Sequence, residues 1–215
     1  ELAFRERLNS TVVDVSAGYH ESISTELVHV PRQERVVHQL WQELDLPREA
    51  FDLALGDLVV GNLQPSQLDS FLERLHGCMR PGGLFVTKSF IELGAHPPRR
   101  VEDWNTILNQ VEVGDLFTEI AYDITVMLCD PHTRKVTFSE MYAYIVAGVA
   151  SGRMPVELLD RVAELGWHDT MKIDFRVYSE AEWVSAYSPY FEEVERIAEH
   201  KSPLERTPLF VLRKK

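Results

Sequence analysis

Two acids stand where short apolar runs of this chain stop. Asp14 falls near the end of Thr11-Val-Val-Asp-Val-Ser16, and Asp57 closes Asp52-Leu-Ala-Leu-Gly-Asp57. A carboxylate in such a place can accept two hydroxyl protons at once or hold an ammonium group. Each acid reads equally as a strand-end or capping residue that ties off the backbone. Asn62 follows Asp57 on the same polar crossing and is a second polar candidate there. Leu40, Trp41 and Gln42 end a third run, Arg35 to Trp41. They offer a flat ring for stacking and an amide for hydrogen bonding, although Trp41 can also simply cap a core. His132, in a Pro-His-Thr turn, has the chemistry of a general base, or of a solvated turn histidine.

Other chemistries lack their residues. The eight histidines are scattered, and no two of them stand at i, i+4 spacing. The two cysteines, Cys78 and Cys129, form no C-x-x-C pair, which gives no zinc site and fits a reducing compartment. Cys78 borders a helical apolar face and reads as packing. Neither a Ser-His-Asp constellation nor a Gly-x-Ser-x-Gly turn is legible, so hydrolase chemistry has no support.

The elements that must carry these residues are clearest from Phe51 to Phe90. The run ending at Asp57 has the composition of a strand covered on both faces. Ser66 is positioned to cap a helix whose Leu68, Phe71, Leu72 and Leu75 share one face. Pro81-Gly82-Gly83 stops that helix, and Leu84 to Thr87 resumes a strand. Strand, helix and strand at these lengths make a parallel βαβ unit. This pattern resembles the fourth and fifth strands of class I S-adenosylmethionine-dependent methyltransferases, in which an FDLVLGD-like strand end faces the cofactor and an LRPGG turn precedes the next strand.

The resemblance implies an α/β fold: a Rossmann-like, mostly parallel sheet with an antiparallel last strand. Thr11 to Val15 then matches the family's second strand, and Asp14 the acid that binds the cofactor's ribose hydroxyls, with Val15 beside it. Ala17 to Glu21 turns into a helix near that ribose. The family often places an acid after its third strand to bind the adenine amino group. The aligned residue here is Leu40, so the adenine contact would fall to Trp41 or Gln42. Asp57 and Leu58 match the end of the fourth strand and would face the methionine half or the acceptor. Strand order in the family is 3-2-1-4-5-7-6. The resemblance therefore places the first strand and its glycine-rich loop before Glu1, in an upstream segment or a strand supplied by another chain.

Past Phe90 the pattern turns helical. Val101 to Asn109, Asp115 to Leu128, Phe138 to Ser151 and Val156 to Leu165 carry helical apolar spacing, broken at Asp130-Pro131-His132 and Gly152-Arg153. Gly166-Trp167 ends this run, and Asp169 to Arg176 is a charged stretch. Ser179 and Glu182 form a capping box for a further helix. Phe191 to Ala198 and Pro208 to Arg213 then resemble the family's sixth strand and its antiparallel seventh. The expected organisation is a cofactor-binding part at 1–90, N-terminally incomplete, a helical cap insertion at 91–178, and the last helix with the closing strands at 179–215. The insertion resembles that of a bacterial subgroup of the family and would roof the cofactor. Its candidate lining residues are Lys88, Phe90, Arg99, Tyr122, His132, Arg176 and Tyr178, each of which also reads as surface or core.

Length and charge agree with one enzyme-sized unit. A chain of 215 residues should bury roughly 70% of its unfolded surface. The formal net charge of -12, with no basic block, argues against a nucleic-acid partner. No apolar run is long enough to span a membrane, and no signal peptide is legible, so the expectation is a cytoplasmic protein. The sequence thus points to S-adenosylmethionine-dependent methyl transfer to a small molecule, and a homodimer is compatible with it. The rival from another class is an inactive methyltransferase-like binding or scaffold protein, which Leu40 favours. A nicotinamide oxidoreductase would also use an acid after its second strand. The Pro-Gly-Gly turn and closing hairpin speak against it.

Overall fold

The computed structural model describes residues 10–14, 34–92, 99–110, 113–129, 135–164, 174–198 and 207–215. Strands β1 (Ser10–Asp14) and β2 (Glu34–His38) lie parallel, with Asp14 opposite His38. Strands β3 (Phe51–Gly56) and β4 (Met79–Lys88) also lie parallel, with Gly56 opposite Thr87. Two strands from the chain's end, β9 (Phe191–Ile197) and β10 (Leu209–Lys214), complete a four-stranded sheet ordered β3-β4-β10-β9. β10 is antiparallel to both of its neighbours. The order β3-β4-β10-β9 reproduces the family's 4-5-7-6, and the β1-β2 pair reproduces its 2-3. Among the described residues no strand bridges β1 and β3.

Helix α1 (Pro65–Cys78) links β3 to β4 and buries Leu68, Phe71, Leu72, Leu75 and Cys78, as the apolar spacing predicts. Each of these larger side chains contributes about 1.5–3 kcal/mol by leaving water. The cap differs from expectation. Pro65 takes the first helical position, and the Gln67 side chain accepts the Gln64 backbone N–H at 2.8 Å, so Gln64 and not Ser66 caps the helix. The helix also ends earlier than Pro81, because β4 already begins at Met79 and runs through Pro81-Gly82-Gly83. Gly82 supplies a φ of 76° within that stretch, a value that costs a glycine little.

Two other boundaries move. The third run gives a strand only from Glu34 to His38, and Trp41–Glu43 forms a 3₁₀ turn. β3 is not covered on both faces: Leu53 is 41% and Leu55 69% exposed. These two leucines share one face of the strand, while Ala54 packs toward the core on the other.

Beyond β4 come the short strand β5 (Ile91–Glu92) and helices α2 (Val101–Gln110) and α3 (Val113–Leu128). Strand β6 (Lys135–Thr137), helix α4 (Phe138–Ala150) and helix α5 (Glu157–Glu164) follow. The stretch read as merely charged contains strand β7 (Asp174–Arg176), antiparallel to β6. Strand β8 (Tyr178–Ser179) pairs parallel with β5 and leads into α6 (Glu180–Tyr187). Ser179 and Glu182 form the capping box there, as expected.

The buried residues fall into two clusters. One joins α1, β4, α6, β9 and β10 through Leu72, Phe85, Trp183 and Phe210. The other joins the helices after β5 through Trp104, Tyr122, Met141 and Phe175, and it includes Phe90 from just past β4. Asp130 to His132 and Gly166-Trp167 lie outside the described residues, as do Glu1 to Leu8 and Ala17 to Glu21.

Candidate functional site at the carboxyl edge

The carboxyl ends of parallel strands are where open α/β sheets bind ligands. Here those ends carry Asp14 on β1, His38 on β2, Asp57 just past β3 and Lys88 on β4. Asp14 is half-buried, and its carbonyl accepts the Gln39 N–H at 3.3 Å. The Trp41 indole N–H reaches back to the carbonyl of Val13 at 2.9 Å. That bond sets Trp41 beside the end of β1 and commits its only donor. What remains for a ligand is the ring face. Gln42 is half-buried in the 3₁₀ turn, and Leu40 precedes it as a 39%-exposed apolar side chain. Val15 lies outside the described residues.

At the second strand pair the backbone turns abruptly. A Cβ added to Gly56 would come within 3.2 Å of the Phe85 ring and of Val59, so even a methyl group would crowd both side chains. Asp57 then projects outward, 76% exposed, with Lys88 Nζ 3.6 Å from its carboxylate. An exposed pair at this separation contributes less than about 1 kcal/mol, so Asp57 is available to a ligand cation. Leu58 follows in the left-handed region, at φ 55° and ψ 19°. Its carbonyl accepts the Asn62 side-chain amide at 3.1 Å, so Asn62 stabilises the turn itself.

The remaining candidates are set deeper. Phe90 is buried in the second cluster, with its ring 4.8 Å from that of Phe175. Tyr122 is fully enclosed and donates to the Ile91 carbonyl at 3.0 Å. Tyr178 donates to the Leu63 carbonyl at 2.9 Å, and burial pushes its hydroxyl up to about 12. Arg99 pairs with the buried Asp123 and lies over the Trp104 ring. Arg176 lies over the ring of Tyr178 at 5.6 Å. His132 is outside the described residues. The structure therefore gathers Asp57, Leu58, Asn62 and Lys88 at one strand end, and Asp14 with Trp41 at another.

Sequence reading missed two features. Ser89, just past β4, is buried, and its hydroxyl has no hydrogen-bond partner among the described residues. Its position directly after Lys88 gave no signal of burial. A cavity of about 500 Å³ lies between α2 and α5, bordered by Asn105, Asn109, Glu157, Asp160, Arg161 and Glu164. None of the sequence-derived candidates lines it, and its walls are the solvated faces of two helices. Among the described residues no group of histidine, cysteine or acidic side chains is placed to hold a metal ion. No described helix is long and apolar enough to cross a membrane.

These strands, in this order and with β10 antiparallel, make the fold of class I S-adenosylmethionine-dependent methyltransferases, which several solved enzymes share. The 1,6-didemethyltoxoflavin-N1-methyltransferase of Burkholderia thailandensis, solved with bound 1,6-didemethyltoxoflavin and S-adenosylhomocysteine, is similar at 16% identity and a TM-score of 0.51. That likeness covers 100% of this chain and 65% of the enzyme. PH0226 from Pyrococcus horikoshii OT3 gives a TM-score of 0.58 at 11% identity, over 100% of this chain and 75% of the other. A proposed zinc-dependent alcohol dehydrogenase of Rhodobacter sphaeroides gives 0.56 at 12% identity, over 98% and 78%. At such identities the likeness defines the fold, and one fold hosts several chemistries. No family model matches the sequence, and no curated protein matches it significantly.

Proposed function

We propose that the protein binds S-adenosylmethionine along this carboxyl edge and transfers its methyl group to a small-molecule acceptor. The observation that carries the reading is the placement of Asp14 and Asp57 at the carboxyl ends of two parallel strand pairs, the second of which belongs to the sheet that contains the antiparallel β10. The donor and acceptor set suits the cofactor. The Asp14 carboxylate accepts both ribose hydroxyl protons, the Trp41 ring offers an adenine its face, and Asp57 holds the ammonium of the methionine half. The product-bound B. thailandensis enzyme supports the same pairing of cofactor and small acceptor.

When bound, the cofactor supplies a sulfonium methyl for in-line transfer. The chain's own contribution is to orient the two reactants and to exclude water, which can account for much of the rate. The helical insertion suits the second task, because its core takes up Phe90 and Leu58 just past the ends of two strands. The chain's acidic balance disfavours a nucleic-acid acceptor.

Calorimetric titration with S-adenosylhomocysteine tests the reading. Binding with a Kd on the order of micromolar is expected, weakened about tenfold or more by Asp14→Ala, which corresponds to ~1.4 kcal/mol. Leu40 supports a second reading, a methyltransferase-like binding protein without activity, because an apolar side chain stands where the family often has an acid. A folded protein that binds no S-adenosylhomocysteine selects that second reading.

A further inference from the structure

We propose that Leu58 is a positioning residue, through which the packing of the helical insertion sets where the Asp57 carboxylate stands. The inference rests on Asp57 being a ligand-binding group of the proposed methyltransferase site.

Leu58 has no intrinsic reason to be left-handed. A non-glycine residue there sacrifices on the order of 1–2 kcal/mol, so its surroundings must hold it. Three interactions do so. The Leu58 side chain packs against the second cluster, which Phe90, Phe175 and Met141 help to form. Its carbonyl is bonded by the Asn62 amide at 3.1 Å. The next residues, Val59, Val60 and Gly61, are buried, and a Cβ at Gly61 would lie 3.1 Å from the Phe175 ring and 3.2 Å from the Arg176 carbonyl. The insertion thus presses on the turn at both Leu58 and Gly61.

Among the described residues Asp57 itself has no such clamp. Its side chain is 76% exposed and meets Lys88 only at 3.6 Å. Its backbone, however, lies between two held neighbours, Gly56 paired in β3 opposite Thr87 and Leu58 packed against the insertion. Peptide units are planar, so fixing both flanking units leaves Asp57 little freedom beyond its own side-chain torsions. Release of Leu58 would let the strand end relax and swing the carboxylate away from its place. Leu58 would affect binding without touching the ligand.

A double-mutant cycle on the full chain, read by titration with S-adenosylhomocysteine, tests this. Leu58→Ala should weaken binding about tenfold with Asp at position 57, and less than about twofold in the Asp57→Asn background. Asn62→Ala, which removes only an exposed amide, should weaken it about threefold and show the same dependence on Asp57. Equal losses in both backgrounds would mean that Leu58 supports the fold generally, and would overturn the proposal. So would undiminished binding by both variants. A folded wild-type chain that binds no S-adenosylhomocysteine would instead remove the proposed function, and this role with it.

Discussion

Tyr187 shows how firmly some side chains outside the site are committed. Its hydroxyl donates to the Glu193 carboxylate, which Arg196 also holds through Nε at 2.9 Å and Nη2 at 3.0 Å. Arg196 reaches Glu180 at 2.6 Å as well and lies over the Phe210 ring. Burial first, and then the hydrogen bond to Glu193, push Tyr187 up to about 12. The neutral phenol is therefore favoured in the folded state. Its contribution to stability is fully present below the unfolded value near 10 and is lost as pH rises toward 12. An absorbance titration at alkaline pH should lose a step near 12, not near 10, in Tyr187→Phe. The same variant should flatten the fall in stability between those values. Neither partner of this network was legible as a pair, because Tyr187 and Glu193 meet only where α6 turns into β9.

Single elements are governed by backbone geometry, and two glycines, one in α1 and one in β4, make opposite predictions. A Cβ added to Gly77, inside α1, would meet nothing within 4 Å. Gly77→Ala should stabilise the protein by about 0.5–1 kcal/mol, because alanine loses less backbone entropy in a helix. At Gly83 a Cβ would lie 3.0 Å from the Arg80 carbonyl and 3.2 Å from that of Asp52. Gly83→Ala must shift backbone, and should destabilise by about 1–3 kcal/mol. Urea denaturation of the two variants, at unchanged m-value, measures both effects. The sequence shows the Pro-Gly-Gly turn plainly. It does not show that Gly83 packs against the strand beginning at Phe51, since that approach is a parallel pairing across a whole helix.

For the molecule as a whole, the proposed ligand should act as a stabiliser. A ligand that binds only the folded chain at about 100 times its Kd adds ~2.7 kcal/mol. S-adenosylhomocysteine should accordingly raise the thermal midpoint by several degrees, while NADH at the same concentration should leave it unchanged. A shift with NADH alone would transfer the reading to nicotinamide chemistry. This control matters because the fold by itself is shared with a protein proposed to be a dehydrogenase.

What the sequence determined alone was local and periodic. The α1 face at Leu68, Phe71, Leu72 and Leu75 and the Ser179–Glu182 capping box both appear as read, because each depends on neighbours within one or two turns. The strand ends at Asp14 and Asp57 were also legible, since apolar runs stop visibly. Tertiary structure decided what those positions are for. Trp41 was readable as a ring near the second strand, but only folding showed its N–H committed to Val13. Tyr122 and Tyr178 were plausible lining residues until packing enclosed them and occupied their hydroxyls. Leu58 was visible only as the residue after an acid. Its left-handed backbone and its packing against the second cluster come with a turn whose Gly61 lies against Phe175 and Arg176, more than a hundred positions away. Contacts of that range leave no period in the sequence, because they depend on how finished elements pack.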